Sequence, residues 1–266
     1  MATLELEARL HNLLDTAHEE TANVDVFTPI TEREECPICL VTLPIKDREI
    51  TYSMCCGKRI CQGCFYKSLI RDIENGVQKH EVKCAFCRQL TPKSIVKASK
   101  KLMKKNDSGA FMQMAALHRG GENGVLQSDT KALEMCIRAA ELGLSNAFAD
   151  IGYHYRRGIV VEQDGSKSLA FYELAAKRGS ITGHQVIAQF YGMNDNTMKK
   201  SIKHLKVAAS AGDQESMDGL MQLYRKKELS KEELTQTLRA YQASINNMKS
   251  KDRDEARVYF AERLSV

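Results

Sequence analysis

The sequence comprises 266 residues with a formal net charge of +5, and 43% of its residues are hydrophobic and 27% charged. This balance is typical of a folded protein and excludes an intrinsically disordered chain. No apolar run approaches the roughly 20 residues that a membrane-spanning helix needs, and the N-terminus lacks the basic start of a signal peptide. We therefore expect an intracellular protein, cytoplasmic or nuclear, with reduced thiols and no membrane partner.

The N-terminal segment, residues 1–32, is predicted to be an amphipathic helix followed by a linker. Its apolar residues recur at helical spacing and would lie on one face; they are Leu6, Leu10, Leu13, Leu14 and Ala17. Two alternatives remain open for this face: it docks back on the protein, or it pairs with another chain.

Eight of the nine cysteines lie close together, between Cys36 and Cys87, whereas Cys136 stands alone among apolar residues and is predicted to be buried. The eight form four pairs, three of them C-x-x-C: Cys36 and Cys39, Cys55 and Cys56, Cys61 and Cys64, Cys84 and Cys87. A C-x-x-C turn lets two thiolates reach one zinc ion. Four pairs therefore predict two closed, tetrahedral zinc sites of structural type, with no position left open for a reacting water.

The stretch CPICLVTLP...MCCGKRICQGC...CAFCRQLTP resembles a RING finger over residues 33–92. The resemblance implies a small α+β fold in which the pairs bind two zinc ions as a cross-brace. One ion would take Cys36, Cys39, Cys61 and Cys64, and the other Cys55, Cys56, Cys84 and Cys87. Lys58 stands where the common pattern has histidine, so Cys55 is expected to supply the fourth ligand, with His80 as the alternative.

The RING resemblance implies docking of a ubiquitin-conjugating enzyme, with contacts from Ile38 and from Leu69 or Phe65, and a ubiquitin contact from Arg88. Such a ligase positions its partners and supplies no catalytic nucleophile. The sequence departs from the pattern because it contains no Trp and has Ala85 where active RING fingers often have proline. Two functions therefore stay open: a RING-type ubiquitin ligase, and a non-catalytic zinc-containing scaffold for protein–protein interaction.

A basic stretch, residues 83–106, holds eight Lys or Arg and no acid. It overlaps the predicted linking helix, residues 93–107. We interpret the basic side chains as a solvent-exposed helix face. Phe86 is the only aromatic residue in the stretch, so bases would have little to stack on, and we expect no nucleic-acid partner.

The second half of the chain, residues 108–250, repeats itself. The stretches RAAELG, LAAKRG and VAASAG follow one another at intervals of 36 and 33 residues. A period of this length with two helices per unit predicts an α-solenoid. The glycine that ends each stretch is predicted to stop the second helix in the left-handed conformation. Small residues such as Gly183 are predicted to let paired helices approach closely, and Ser230 with Glu233 predicts a capping box at the start of a helix. The units resemble Sel-1-like repeats, relatives of the tetratricopeptide repeats, and this implies a protein or peptide ligand. Residues 251–266 are predicted to form a helix that caps the stack, so that the whole chain is expected to be mainly α.

Overall fold

The computed structural model describes residues 2–31, 33–78 and 81–264. In chain order its elements are α1 (Ala2–Glu20), β1 (Ile50–Ser53), β2 (Lys58–Cys61), α2 (Gln62–Glu74), α3 (Ile95–Met103), α4 (Ser108–Gly120), α5 (Asp129–Glu141), α6 (Ser145–Arg157), α7 (Gly165–Lys177), α8 (Ile181–Tyr191), α9 (Met198–Ser210), α10 (Gln214–Arg225), α11 (Lys231–Met248) and α12 (Lys251–Leu264). Within the described ranges, no helix is both long and apolar enough to span a bilayer.

The chain falls into two units. One, here called the repeat unit, comprises Met1–Thr31 and Asn106–Gln242; the other, the cysteine unit, comprises Glu32–Lys105 and Ala243–Val266.

Five helices of the repeat unit, α4, α5, α7, α8 and α10, begin at side chains that cap them. An oxygen of each capping side chain accepts a hydrogen bond from a backbone N–H three residues later, which satisfies a donor that the first helical turn leaves free. The residues with this role are Asp107, Ser128, Asp164, Ser180 and Asp213. The second helices of the first three repeats end before Gly143, Gly179 and Gly212, whose φ angles of 85°, 81° and 100° are the left-handed conformation that the sequence predicted.

Small residues bring the helices of neighbouring repeats together, as expected. At Gly183 on α8, a Cβ atom would lie 2.7 Å from the backbone nitrogen of Ala176 and 2.8 Å from the carbonyl oxygen of Tyr172. Only glycine therefore allows α8 to pack so closely on α7. Large side chains such as Phe148 and Phe171 are fully buried between the helices, and Cys136 is buried as predicted.

The N-terminal helix α1 docks back on the repeats, which is the first of the two alternatives. It packs on α5 and α7, and Leu6, Leu10, Leu13 and Ala17 are buried. Arg9 pairs with Glu141 at 2.9 Å. Burial of the apolar stripe thus holds this helix within its own unit.

The cysteine unit contains an antiparallel β-hairpin, in which Ile50 pairs with Cys61 and Ser53 with Lys58, and the helices α2 and α3. On α3, Ala98 and Leu102 are buried, and its lysines are exposed as the sequence analysis expected.

The C-terminal helix α12 departs from expectation. We expected it to cap the repeats, but the structure packs it along α2. Its aromatic residues find partners there: the rings of Tyr66 and Tyr259 are 4.9 Å apart, and those of Phe65 and Phe260 are 6.2 Å apart.

Candidate metal centre

The first cysteine group consists of Cys36, Cys39, Cys61 and Cys64, whose sulfur atoms all lie within 4.8 Å of one another. The sulfurs of Cys39 and Cys61 are 3.8 Å apart. Four sulfurs at about 2.3 Å from a central zinc ion would be separated by about 3.8 Å in a tetrahedron. The donor set and its spacing therefore fit a zinc ion.

The second cysteine group consists of Cys55, Cys56, Cys84 and Cys87, again within 4.8 Å of one another. Cys55 and Cys87 have their sulfurs 3.3 Å apart, and Cys56 and Cys84 have theirs 4.0 Å apart. The division of the eight cysteines into these two groups is the same as the one that the RING resemblance implies. Zinc ligation by these cysteines stays a prediction.

Two C-x-x-C loops, one from each group, have the same backbone arrangement: Cys36–Cys39 and Cys84–Cys87. The N–H of Leu40 donates to the carbonyl of Cys36 at 2.8 Å, and the N–H of Arg88 donates to the carbonyl of Cys84 at 3.0 Å. Leu40 and Arg88, each directly after the second cysteine, have φ angles of 57° and 59°. This left-handed conformation is uncommon for residues with a side chain. Its recurrence at equivalent positions indicates that both loops are shaped in the same way around their sulfurs.

The adjacent cysteines 55 and 56 lie in the turn that joins β1 to β2. The N–H groups of Cys56 and Gly57 both donate to the carbonyl of Ser53, at 3.1 and 2.8 Å. Gly57 has a φ of 72°, which only glycine adopts at little cost. This sharp turn brings both sulfurs into one group. Lys58 is exposed at the start of β2, while His80, the alternative ligand, lies outside the described residues.

Within each group, the close approach of the sulfurs gives the thiols different pKa values. A hydrogen bond from Cys64 lowers the pKa of Cys61 to about 4, and the same contact raises the pKa of Cys64 well above its ordinary value. Burial raises the pKa of Cys56 to about 11. Only part of each group is therefore ionised near neutral pH without a cation, and binding of a metal would release protons.

Of the residues proposed to contact partners, Ile38 and Arg88 adjoin cysteines in the chain, and Leu69 lies on α2, the helix that carries Cys64. Ile38 is 40% exposed, and Phe86, which the sequence analysis did not assign to this surface, is 41% exposed. Leu69 is half-buried on α2. Arg88 donates to the hydroxyl of Ser68 at 3.0 Å and pairs with Asp72 at 3.5 Å, so its guanidinium group is already engaged within the unit.

Arg253 is a site residue that sequence reasoning missed. It lies on α12, and its Nη2 atom is 3.8 Å from the sulfur of Cys39. The two residues are 214 positions apart in the chain, and no local pattern links them.

The repeat unit is similar to a known family of repeats. Residues 112–144 and 148–180 match the family model described as the Sel1 repeat. This confirms the Sel-1-like repeats for these residues, and the chain therefore contains Sel1 repeats, which generally bind protein partners.

Two solved structures are similar to this chain. The crystal structure of a Sel1 repeat protein from Oxalobacter formigenes is 25% identical over 68% of this chain and 72% of that chain, with a TM-score of 0.48. The crystal structure of c5321, a protective antigen of uropathogenic Escherichia coli strains that displays an SLR fold, is 21% identical over 58% of this chain and 34% of that chain, with a TM-score of 0.47.

Proposed function

We propose that the two cysteine groups each hold one structural zinc ion, and that the cysteine unit acts as a RING-type ubiquitin ligase module while the Sel1 repeats bind the target protein. The observation that carries this proposal is the interleaving of the pairs: the first and third pairs gather in one group, and the second and fourth in the other. Two ions bound in this order would tie distant segments together, so that each ion would stabilise the fold of the unit.

In this proposal the zinc ions supply stability and no reaction, because four sulfurs close each site. The chain's own contribution is a surface. Ile38 and Phe86 each lie next to a cysteine of a C-x-x-C loop, and the neighbouring Leu40 is also exposed. Such side chains offer apolar contacts to a partner. A conjugating enzyme docked there would be oriented for transfer of its ubiquitin, and no nucleophile is needed from this chain.

A non-catalytic scaffold is the second candidate, and one contact favours it. Arg88, which the resemblance assigns to ubiquitin, is engaged with Ser68 and Asp72 on α2. Contact with ubiquitin would compete with these two partners for the guanidinium group. The scaffold keeps the zinc ions and the repeat ligand but has no transfer activity.

An autoubiquitination assay with a panel of conjugating enzymes distinguishes the ubiquitin ligase from the non-catalytic scaffold. We expect the wild type to form ubiquitin chains and Ile38→Ala to lose them, because truncation removes an apolar docking contact. Leu126→Ala is the matched control, since Leu126 is an exposed apolar residue of the repeat unit, and it should retain full activity. Native mass spectrometry should find two zinc ions in all three proteins. No ubiquitin chains with any enzyme, from a protein that holds two zinc ions, would reject the ligase in favour of the scaffold.

A further inference from the structure

We propose that Arg253 is a positioning residue of the first cysteine group and that it links zinc binding there to docking of the C-terminal helix α12. This inference rests on the proposed zinc ions. It gives α12, the last helix, a role in a site whose proposed ligands all lie between residues 36 and 64.

The contacts of the Arg253 side chain are directed at the loop that carries Cys39. Its Nη2 atom donates to the carbonyl of Val41 at 3.0 Å and lies 3.8 Å from the sulfur of Cys39. Its Nη1 atom donates to the carbonyl of Thr42 at 2.7 Å and to that of Met248 at 2.6 Å. One planar guanidinium group thus joins the end of the first zinc loop to the segment that leads into α12.

Charge explains why a cation belongs at this position. Arg253 is only 6% exposed, and the acceptors named above include no carboxylate. A buried cation without an anionic neighbour is strongly unfavourable. Four thiolates around Zn²⁺ carry a net charge of −2, so a loaded first group would supply the missing negative charge.

A second arginine approaches the same loop. The Nη2 atom of Arg33 donates to the carbonyl of Leu43 at 2.6 Å. Burial, and then the neighbouring Arg253, lower the pKa of Arg33. Arg33 and Arg253 thus bring two guanidinium groups to the segment that follows the first C-x-x-C loop.

The backbone of α12 fits α2 closely at the residue before Cys64. A Cβ atom at Gly63 would lie 2.8 Å from the backbone nitrogen of Arg253 and 2.9 Å from the carbonyl carbon of Asp252. Asp252 also pairs with Lys67 at 3.2 Å. The start of α12 is therefore fixed on the helix that carries one ligand, while Arg253 reaches the loop that carries another.

Zinc binding in the first group and docking of α12 should stabilise each other by thermodynamic linkage, because Arg253 contacts both. Zinc in the first group favours docked α12, and docked α12 favours zinc in the first group. Loss of residues that support metal ligands through hydrogen bonds commonly lowers metal affinity about 10- to 100-fold. The side-chain contacts of Arg253 go to the segment Cys39–Thr42 and to Met248. Zinc affinity of the second cysteine group should therefore be unaffected.

Pulsed alkylation with N-ethylmaleimide in the presence of a zinc chelator, followed by peptide mapping, tests this linkage in the full-length, zinc-loaded protein. In Arg253→Ala we expect the cysteines of the first group to be modified about 10- to 100-fold faster than in the wild type. The second group should react at the wild-type rate, which also shows that the variant is folded. Arg257→Ala is the matched control, because Arg257 lies one turn later on α12, is exposed, and pairs with Asp254 at 3.1 Å and with Glu49 only at 3.8 Å, a long exposed pair that contributes little.

Hydrogen exchange of residues 251–264 gives an independent readout, and it should become faster in Arg253→Ala than in Arg257→Ala. Arg253→Lys should fall between wild type and alanine, since lysine keeps the charge but not the planar set of donors. Wild-type alkylation rates in both groups of Arg253→Ala would overturn the inference while leaving the zinc proposal intact. Equal acceleration in both groups would overturn the assignment to the first group, and a wild type that binds no zinc would overturn both proposals.

Discussion

Acidification should destabilise the repeat unit through a buried histidine pair. His184 on α8 and His204 on α9 are both buried, and their Nδ1 atoms are 3.0 Å apart. One nitrogen must donate and the other accept, so protonation of the accepting ring at its Nδ1 atom would set two N–H groups against each other. Burial lowers the pKa of both residues from 6.5 to about 4, and for His204 the neighbouring His184 adds to the effect.

The sign and size of the effect follow from these values. Because the folded-state pKa of His204 is lower than that of the unfolded chain, its contribution to stability is complete above about pH 6.5 and is lost as the pH falls toward 4. One pKa unit corresponds to about 1.4 kcal/mol. A depression from 6.5 to about 4 is therefore worth about 2–3 kcal/mol for this group at about pH 4.5.

The assay is denaturant unfolding of wild type and His204→Asn at about pH 7.5 and about pH 4.5. Asparagine keeps a polar nitrogen or oxygen near the Nδ1 position but does not titrate. The loss of unfolding free energy on acidification should be smaller in the variant by about 2–3 kcal/mol. Because both proteins contain the same cysteine unit, its own pH dependence cancels in this difference. His11→Asn, at an exposed histidine of α1, should behave as the wild type, and an equal acid loss in wild type and His204→Asn would refute the reasoning.

Two further predictions concern packing of the repeats. Gly183→Ala should lower the free energy of unfolding by about 1–3 kcal/mol, since its methyl group would meet the backbone of α7. In the control Gly219→Ala the methyl group would meet only the side chain of Leu205 at 3.7 Å, so this change should be neutral or stabilising by up to about 1 kcal/mol. Equal losses of unfolding free energy for the two variants in urea would contradict this prediction. Phe171→Ala should cost about 3–5 kcal/mol because the ring is fully buried, whereas Leu126→Ala at an exposed position should change the midpoint little; a similar shift in both would argue against the packing described.

Local features of the sequence predicted the repeat unit well. The glycines at 143, 179 and 212 mark helix ends because the backbone there needs a positive φ. At Ser230 and Glu233 the predicted capping box forms, with each backbone N–H donating to the side chain of the other residue at 3.2 Å. These signals lie within a few residues of the structure they determine, so the sequence reveals them directly.

Features that depend on long-range packing could not be predicted in this way. The helical pattern of α12 was visible, but its aromatic residues Tyr259 and Phe260 do not indicate which helix they pack against. Arg253 lies in a highly charged helical sequence, where an arginine is expected to be exposed. The pair of His184 and His204 lies within the regular repeat pattern, and only the folded geometry brings the two rings together.

The most direct test of the central claim is the zinc content of the purified protein by native mass spectrometry. Two closed groups of four sulfurs predict two zinc ions per wild-type chain, one in Cys55→Ser, and two in the control Cys136→Ser, because Cys136 is buried in the repeat unit and belongs to neither group. A wild type with one zinc ion or none, or a Cys55→Ser variant that retains two, would contradict the account.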